Sequence, residues 1–285
     1  MLFAHSSFAQ SPAKGLLMWS LLLFPLLAQG VMLEGNLLQG GMVIGRVDPG
    51  DQVVFDGEVL RVSPEGVFIL GFGRDDPPRH SLKVRRGGKL LEGRSLIIGK
   101  RDYRIQRVDG LPPSKVSPPK KVWERIRREA ALVKKARRRD DSRTDFLNGF
   151  IWPAQGVISG VYGSQRILNG KPKRPHFGVD IAAPEGTPVV APADGLVTLA
   201  QPDMYYSGGT LILDHGHWLS SSFLHLSRIL VKPGQRVKQG ELIAEIGATG
   251  RVTGAHLDWR MNLRSARIDP QLLVPPMPVE KSAGK

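Results

Sequence analysis

The run Pro175-His176-Phe177-Gly178-Val179-Asp180-Ile181-Ala182-Ala183-Pro184 decides how the rest of the chain is read. His176 and Asp180 are separated by three residues, a common gap between two ligands of one metal. A straight strand would put both side chains on one face but about 13 Å apart at roughly 3.3 Å per residue, too far for two short side chains to share an ion. A helix would bring positions i and i+4 together, yet Gly178, Val179 and the closing Pro184 make a poor helix. The segment is therefore expected to be extended and bent, with Gly178 supplying the bend. Alone, H-x-x-x-D is weak evidence for a metal site and reads more simply as a histidine and an aspartate satisfying loop backbone groups, so its meaning depends on partners elsewhere.

Those partners lie downstream. Of the seven histidines, His176, His215, His217, His225 and His256 fall after residue 150, a concentration that favours a site over scattered structural histidines. In T-G-R-V-T-G-A-H-L-D-W-R-M-N, Thr249 to Asn262, the second half alternates. His256, Asp258 and Arg260 face one way, and Leu257, Trp259 and Met261 the other, which is the pattern of a strand with one face in a core. His256 and Asp258 would then stand about 6.6 Å apart along one strand, close enough to share a groove. T-P-V-V-A-P-A-D-G-L-V-T-L-A and G-G-T-L-I-L-D-H-G-H-W-L-S-S-S-F-L-H-L-S each read as two strands.

The motifs P-H-F-G-V-D, F-L-H-L-S and G-A-H-L-D-W, in that order, together resemble the lysostaphin-type (LytM-like) zinc metallopeptidases of the bacterial cell wall. G-V-Y-G-S-Q-R, Gly160 to Arg166, is similar to the segment that precedes the first ligand in that family, and the resemblance covers about Ile151 to Leu263. It implies a small antiparallel β fold with a groove, a zinc ion on its floor and hydrolysis of peptide bonds in peptidoglycan. By matching position, His176 and Asp180 would be zinc ligands, and His225 and His256 the catalytic pair. The family's closing motif is usually His-x-His, with the second His on zinc, and that position here is Asp258. Carboxylate is an accepted zinc ligand, but Arg260 on the same face offers Asp258 an ordinary ion pair instead. In the first case the chain is a zinc endopeptidase, with His256 taking a proton from the attacking water and His225 donating to the oxyanion. In the second it is a non-catalytic wall-binding regulator that activates another cell-wall hydrolase. His215 is expected to be structural and His217 exposed, while Tyr162 and Arg166 are candidates for the groove wall, Tyr162 equally for the core.

A chain of 285 residues suffices for two domains, and with no cysteine it has neither disulfides nor thiolate metal sites, so zinc would have to be held by His, Asp or Glu. Lys14, the apolar run Gly15 to Ala28 and the small residues at Ala28 and Gly30 have the form of a signal peptide over 1–30, with an uncleaved anchor as the competing reading. The protein is thus expected to be exported, to the periplasm or cell envelope. A net charge of +14 suggests an anionic partner. Export and the absence of a nucleic-acid motif argue against nucleic acid, leaving the wall polymer, an anionic membrane surface, or plain solubility.

The expected architecture is mainly β. Short β-runs punctuated by turn residues over 31–110 suggest a small β-sandwich in which His80 stands alone in a polar loop. Residues 111–149 hold a Pro-rich linker, L-P-P-S-K-V-S-P-P, expected to contain no helix, and then a basic helix. That helix has one apolar stripe, Val122, Ile126, Ala130, Val133 and Ala136, and would either connect two domains or lie on an anionic surface. Residues 150–275 form the peptidase-like domain and 276–285 a tail.

Overall fold

The computed structural model describes residues 30–278, so all of the expected leader but Gly30 lies outside them, as do residues 279–285. Among the described residues no helix is long and apolar enough to cross a membrane. The fold is mainly β with antiparallel sheets, as expected.

Two small sheets make up the first part. Met32–Gly35, Met42–Arg46 and Val67–Gly71 form one, and Glu58–Val59, Gln52–Phe55, Arg79–Arg86 and Lys89–Ile97 the other. Val43, Val53, Phe68, Leu70, Leu82 and Leu96 close a core between them. Two details differ from expectation. His80 is not in a polar loop but buried in the strand Arg79–Arg86, whose outward residues are charged or polar and whose inward residues are His80, Leu82 and Val84. Its ring stacks on Phe55, and its Nδ1 lies 2.6 Å from Asp56 Oδ2. The run E-V-L-R-V contributes only Glu58–Val59 to a ladder.

The Pro-rich stretch contains one helical turn after all, Pro113–Val116. Pro113 occupies its first position, where a missing N–H costs nothing and the fixed φ suits a helix. The basic helix Trp123–Ala136 forms as its stripe predicts. It does not stand free in solvent: Val133 and Ala136 pack on Leu199, Met204 and Ile212, and Arg125 pairs with Asp203 at 2.9 Å.

The large sheet runs in the order Arg236–Val237, Gly195–Met204, Gly208–Asp214, Leu219–Ile229, His256–Leu263, Val179–Ala182, Val157–Gly160. Its inner face carries Val179, Ile181, Leu211, Leu213, Phe223, Leu257, Trp259 and Met261, all fully buried. Each such side chain contributes roughly 1.5–3 kcal/mol by leaving water, so the strands are fixed in place by this face and the opposite face is free to carry polar groups. Met42, Val67 and Ile69 of the first part join the same core. Ile105–Val108 adds itself in parallel to Gln165–Leu168, which in turn pairs with Lys171–Pro172.

Candidate active site

The strands Val179–Ala182 and His256–Leu263 are antiparallel neighbours, with Asp180 directly opposite Asp258. Two like charges facing each other across a ladder are unfavourable and call for compensation. Each carboxylate has an arginine behind it. Asp180 Oδ2 accepts from Arg166 Nη2, while Asp258 accepts from Arg260 Nε at 2.9 Å and Nη2 at 2.5 Å. The remaining Asp180 Oδ1, and Asp258 Oδ1 as well, face His176 Nε2, at 3.1 and 3.4 Å. All three residues are buried.

Glycine makes this packing possible, though not as the sequence suggested. Gly178 is not in the left-handed region, and its function is clearance: a Cβ there would stand 2.6 Å from Trp259 O and 2.7 Å from Asp258 Oδ1. Gly160, opposite Asp180, leaves room in the same way, since its Cβ would collide with Asp180 Oδ2.

His225 and His256 flank the cluster. His225 has φ +68°, a strained value for a residue with a side chain, in a strand whose register slips near it. Its Nδ1 lies 2.8 Å from Thr249 O, and His256 Nδ1 lies 2.9 Å from Gly254 O. A carbonyl only accepts, so Nδ1 carries the proton in both rings and Nε2 is left for the site. The two ring centroids are 4.9 Å apart, and His256 Nε2 is 3.9 Å from Asp180 Oδ1.

Electrostatics separate the histidines. Burial pushes His225 down to about 4, so it is neutral at pH 7. Burial works against charge on His176 too, but the facing Asp180 and Asp258 outweigh it and hold the ring above its ordinary value. Burial would raise Asp258, yet Arg260 and then His176 keep it well below the usual carboxylate range.

The cluster can be tested as a cation site on its own atoms. Both ring nitrogens of His176 and Asp180 Oδ1 are buried and, among the described residues, have no hydrogen-bond partner. Nε2 and Oδ1 thus lie 3.1 Å apart without the angles of a hydrogen bond, the arrangement of two groups aimed at a shared third point. Tetrahedral zinc with bonds of about 2.0–2.2 Å has ligand-to-ligand edges of about 3.3–3.6 Å, close to the 3.1 and 3.4 Å found here. His176, Asp180 and Asp258 can each offer one ligand atom within 4.8 Å of the others. The residues present therefore fit a zinc ion, and the Arg260 pairing of Asp258 does not turn its Oδ1 away.

The structure brings together His176, Asp180, His225, His256 and Asp258, and excludes the other histidines. His215 is buried and satisfied, with Nδ1 2.6 Å from Asp194 O and Nε2 2.7 Å from Ser221 Oγ. His217 is buried rather than exposed, edge-on to Phe146, because the left-handed backbone at His217 and Trp218 folds the loop inward. Tyr162 is core, its hydroxyl donating to Arg267 O at 2.6 Å, and Arg166 serves Asp180. The carbonyls of Thr249 and Gly254 were not foreseen, since a main-chain acceptor leaves no mark on residue type. Gly160 did leave one, as the first residue of G-V-Y-G-S-Q-R.

The model of peptidase family M23 matches residues 174–270. Peptidoglycan DD-endopeptidase ShyA of Vibrio cholerae is 42% identical over 95 residues, 33% of this chain and 22% of that protein. A lipoprotein NlpD/LppB homolog of Pseudomonas aeruginosa is 33% identical over 129 residues, 45% of this chain and 41% of that protein. The likeness to these curated relatives thus spans less than half of their length. Among solved structures, a Pseudomonas aeruginosa protein assigned to peptidase M23 aligns with a TM-score of 0.64 at 30% identity, over 84% of this chain and 95% of that one. That alignment reaches well beyond the family-model match, into the first part of the fold.

Proposed function

The chain belongs to peptidase family M23, and we propose that it is an exported zinc endopeptidase that hydrolyses peptide cross-links of peptidoglycan. In this reading residues 31–110 are a β module, 111–149 a linker and helix, and 150–275 the catalytic domain. His176, Asp180 and Asp258 hold the ion. The observation that carries the reading is the convergence of buried, hydrogen-bond-free His176 Nε2 and Asp180 Oδ1, with Asp258 Oδ1 at 3.4 Å, on one point beside two histidines.

Bound zinc supplies Lewis acidity and, by acidifying a water, a nucleophile at neutral pH. Two carboxylate ligands would neutralise most of the ion's charge, and Arg166 and Arg260 behind them draw part of that charge back. Both rings present Nε2 to the site, so the roles are divided by burial and not by tautomer. His225 is held neutral with its one proton on Nδ1, so its Nε2 accepts a proton and has none to give. The division proposed here is the reverse of the one expected from sequence. His256 is more exposed, and the Nε2 it turns to the site donates to the developing oxyanion or the leaving nitrogen only when the ring holds a second proton, as imidazolium.

Metal analysis of full-length protein purified without chelators tests the reading, together with release of peptide fragments from purified peptidoglycan. One zinc per chain and fragment release are expected, and both should vanish in His176→Ala. The Arg260 pairing of both Asp258 oxygens favours a second reading, a zinc-free regulator that engages a partner wall hydrolase. That reading requires no stoichiometric metal and full function in His225→Ala.

A further inference from the structure

His225 of the proposed catalytic pair lines a cavity of about 690 Å³. One wall is the sheet, with Ser222, Leu224, His225 and Arg260. The other is the linker and basic helix, with Val116, Pro118, Ile126, Val133 and Arg137. The helix is therefore part of the groove.

No Asp or Glu lines this cavity, whereas seven cations do. Arg166 and Arg260 are occupied by the carboxylates of the metal cluster. Arg137, Lys173, Arg174, Arg251 and Arg267 have no carboxylate within ion-pair distance among the described residues. What they have instead is weak compensation. Arg137 Nη2 donates to Ser222 Oγ at 2.9 Å, but its Nε is buried without a partner. Arg251 lies over the Tyr206 ring at 4.7 Å, Lys173 Nζ donates to Val116 O at 2.8 Å, and Arg267 donates to Asn262 Oδ1. Burial, followed by Arg267 and Arg260, pushes the Arg137 guanidinium down to about 9, and burial likewise lowers Arg251. A fold holds guanidinium groups crowded, half-desolvated and unpaired at a cost in stability, and a bound anion removes that cost. Among these cations the lining is apolar, with Val116, Ile126, Val133, Leu168, Ile212 and Leu224.

We propose that this cavity binds a free carboxylate of the peptide substrate, with Arg137 and Arg251 as its main contacts, so that the enzyme selects peptides carrying a carboxylate close to the bond that His225 and His256 attack. The proposal deepens the endopeptidase reading and rests on it for the identity of the ligand. Planar guanidinium forks match carboxylate geometry, and the apolar lining suits a short aliphatic peptide beside the charge. The carboxylate can be the peptide's C-terminus or belong to an acidic residue within it.

The test is calorimetric titration of the full chain carrying His256→Ala, which leaves the peptide uncut. The probes are diacetyl-L-lysyl-D-alanyl-D-alanine and its C-terminal amide, then a second pair in which an internal D-glutamate is exchanged for D-glutamine. In at least one pair the acid should bind about tenfold or more tightly than the amide, the strength expected of a charge-assisted hydrogen bond. Which pair discriminates identifies the source of the carboxylate. Arg137→Gln and Arg251→Gln should each reduce that preference severalfold, and Arg137→Lys, which keeps the charge but loses the fork, should reduce it less than Arg137→Gln does. Equal binding of acid and amide in both pairs overturns the proposal, as does a preference that survives both glutamine substitutions. So does an Arg137-dependent response confined to phosphatidylglycerol vesicles, which would make the cavity a lipid site. Zinc content and fragment release from peptidoglycan are measured on the wild-type chain in parallel. If those fail while the acid preference holds, the hydrolase reading falls and the carboxylate pocket stands; the converse result sinks the pocket alone.

Discussion

His176 and His215 are both buried against the same sheet and differ in what faces their ring nitrogens. His215 meets a backbone carbonyl and a serine hydroxyl, both nitrogens are satisfied, and burial drives the ring down to about 4. His176 meets two carboxylates and no hydrogen-bond geometry, and their charge overrides burial to hold the ring above its ordinary value. His80 faces a single carboxylate, Asp56, that is itself part-exposed. Burial of a histidine therefore says little about function. Convergence of several unsatisfied donor atoms on one point is what separates the site from the scaffold.

The contrast can be broken most decisively at His176 itself. Replacing it with alanine should eliminate stoichiometric zinc and hydrolysis together, whereas His215→Gln should leave zinc content untouched; elemental analysis of both variants decides. Next, His256→Ala should retain the metal and lose about 10²–10⁴-fold in turnover, the usual range for a missing proton-transfer group, read from peptidoglycan digestion.

His215 also predicts a pH effect of defined sign. Its folded value of about 4 lies below an unfolded value near 6.5, so between these limits the unfolded chain binds the extra proton and stability falls as pH drops. The gap between those two values corresponds to about 3 kcal/mol at the acid end. Asp214, raised to about 6 by burial, works in the opposite direction over the same window. Comparing wild type with His215→Gln holds Asp214 constant, so between pH 6.5 and 4 the wild type should lose about 3 kcal/mol relative to the variant, read from denaturant unfolding of both at the two pH values.

Arg260→Gln removes the cation behind Asp258 without touching a ligand. Outer partners of this kind typically change metal affinity by about 10–100-fold, measurable by competition with a chromogenic chelator. The smallest effect belongs to His80. Asp56→Ala should cost about 1–3 kcal/mol for the hydrogen bonds it leaves unmade and leave zinc and turnover unchanged; an altered zinc content would tie the first module to the site.

Residue pattern carried much of this. The alternation from His256 to Met261 correctly assigned inward and outward faces, because a strand's period of two admits no other reading once Leu257, Trp259 and Met261 need a core. The stripe of the basic helix was equally legible. The part that escaped depends on tertiary register. Nothing in P-H-F-G-V-D says that Asp180 will lie opposite Asp258, or that Gly178 exists to clear that aspartate rather than to bend the chain. His80 was misplaced because the charges flanking it in R-H-S-L-K-V-R-R imitate a loop. Arg137 was hidden among like-charged neighbours on its helix, since a run of basic residues gives no sign of which one is turned inward.

The parallel seam between Ile105–Val108 and Gln165–Leu168 ties positions sixty residues apart, Ile105 to Gln165, into one ladder. Such a join cannot close as a hairpin does, and it must wait until both segments have been synthesised and the intervening helix has docked. An excised fragment that begins after residue 110 would expose the bare edge of Gln165–Leu168, the strand that also carries Arg166 to Asp180. Recombinant trimming of this protein should therefore begin upstream of Ile105.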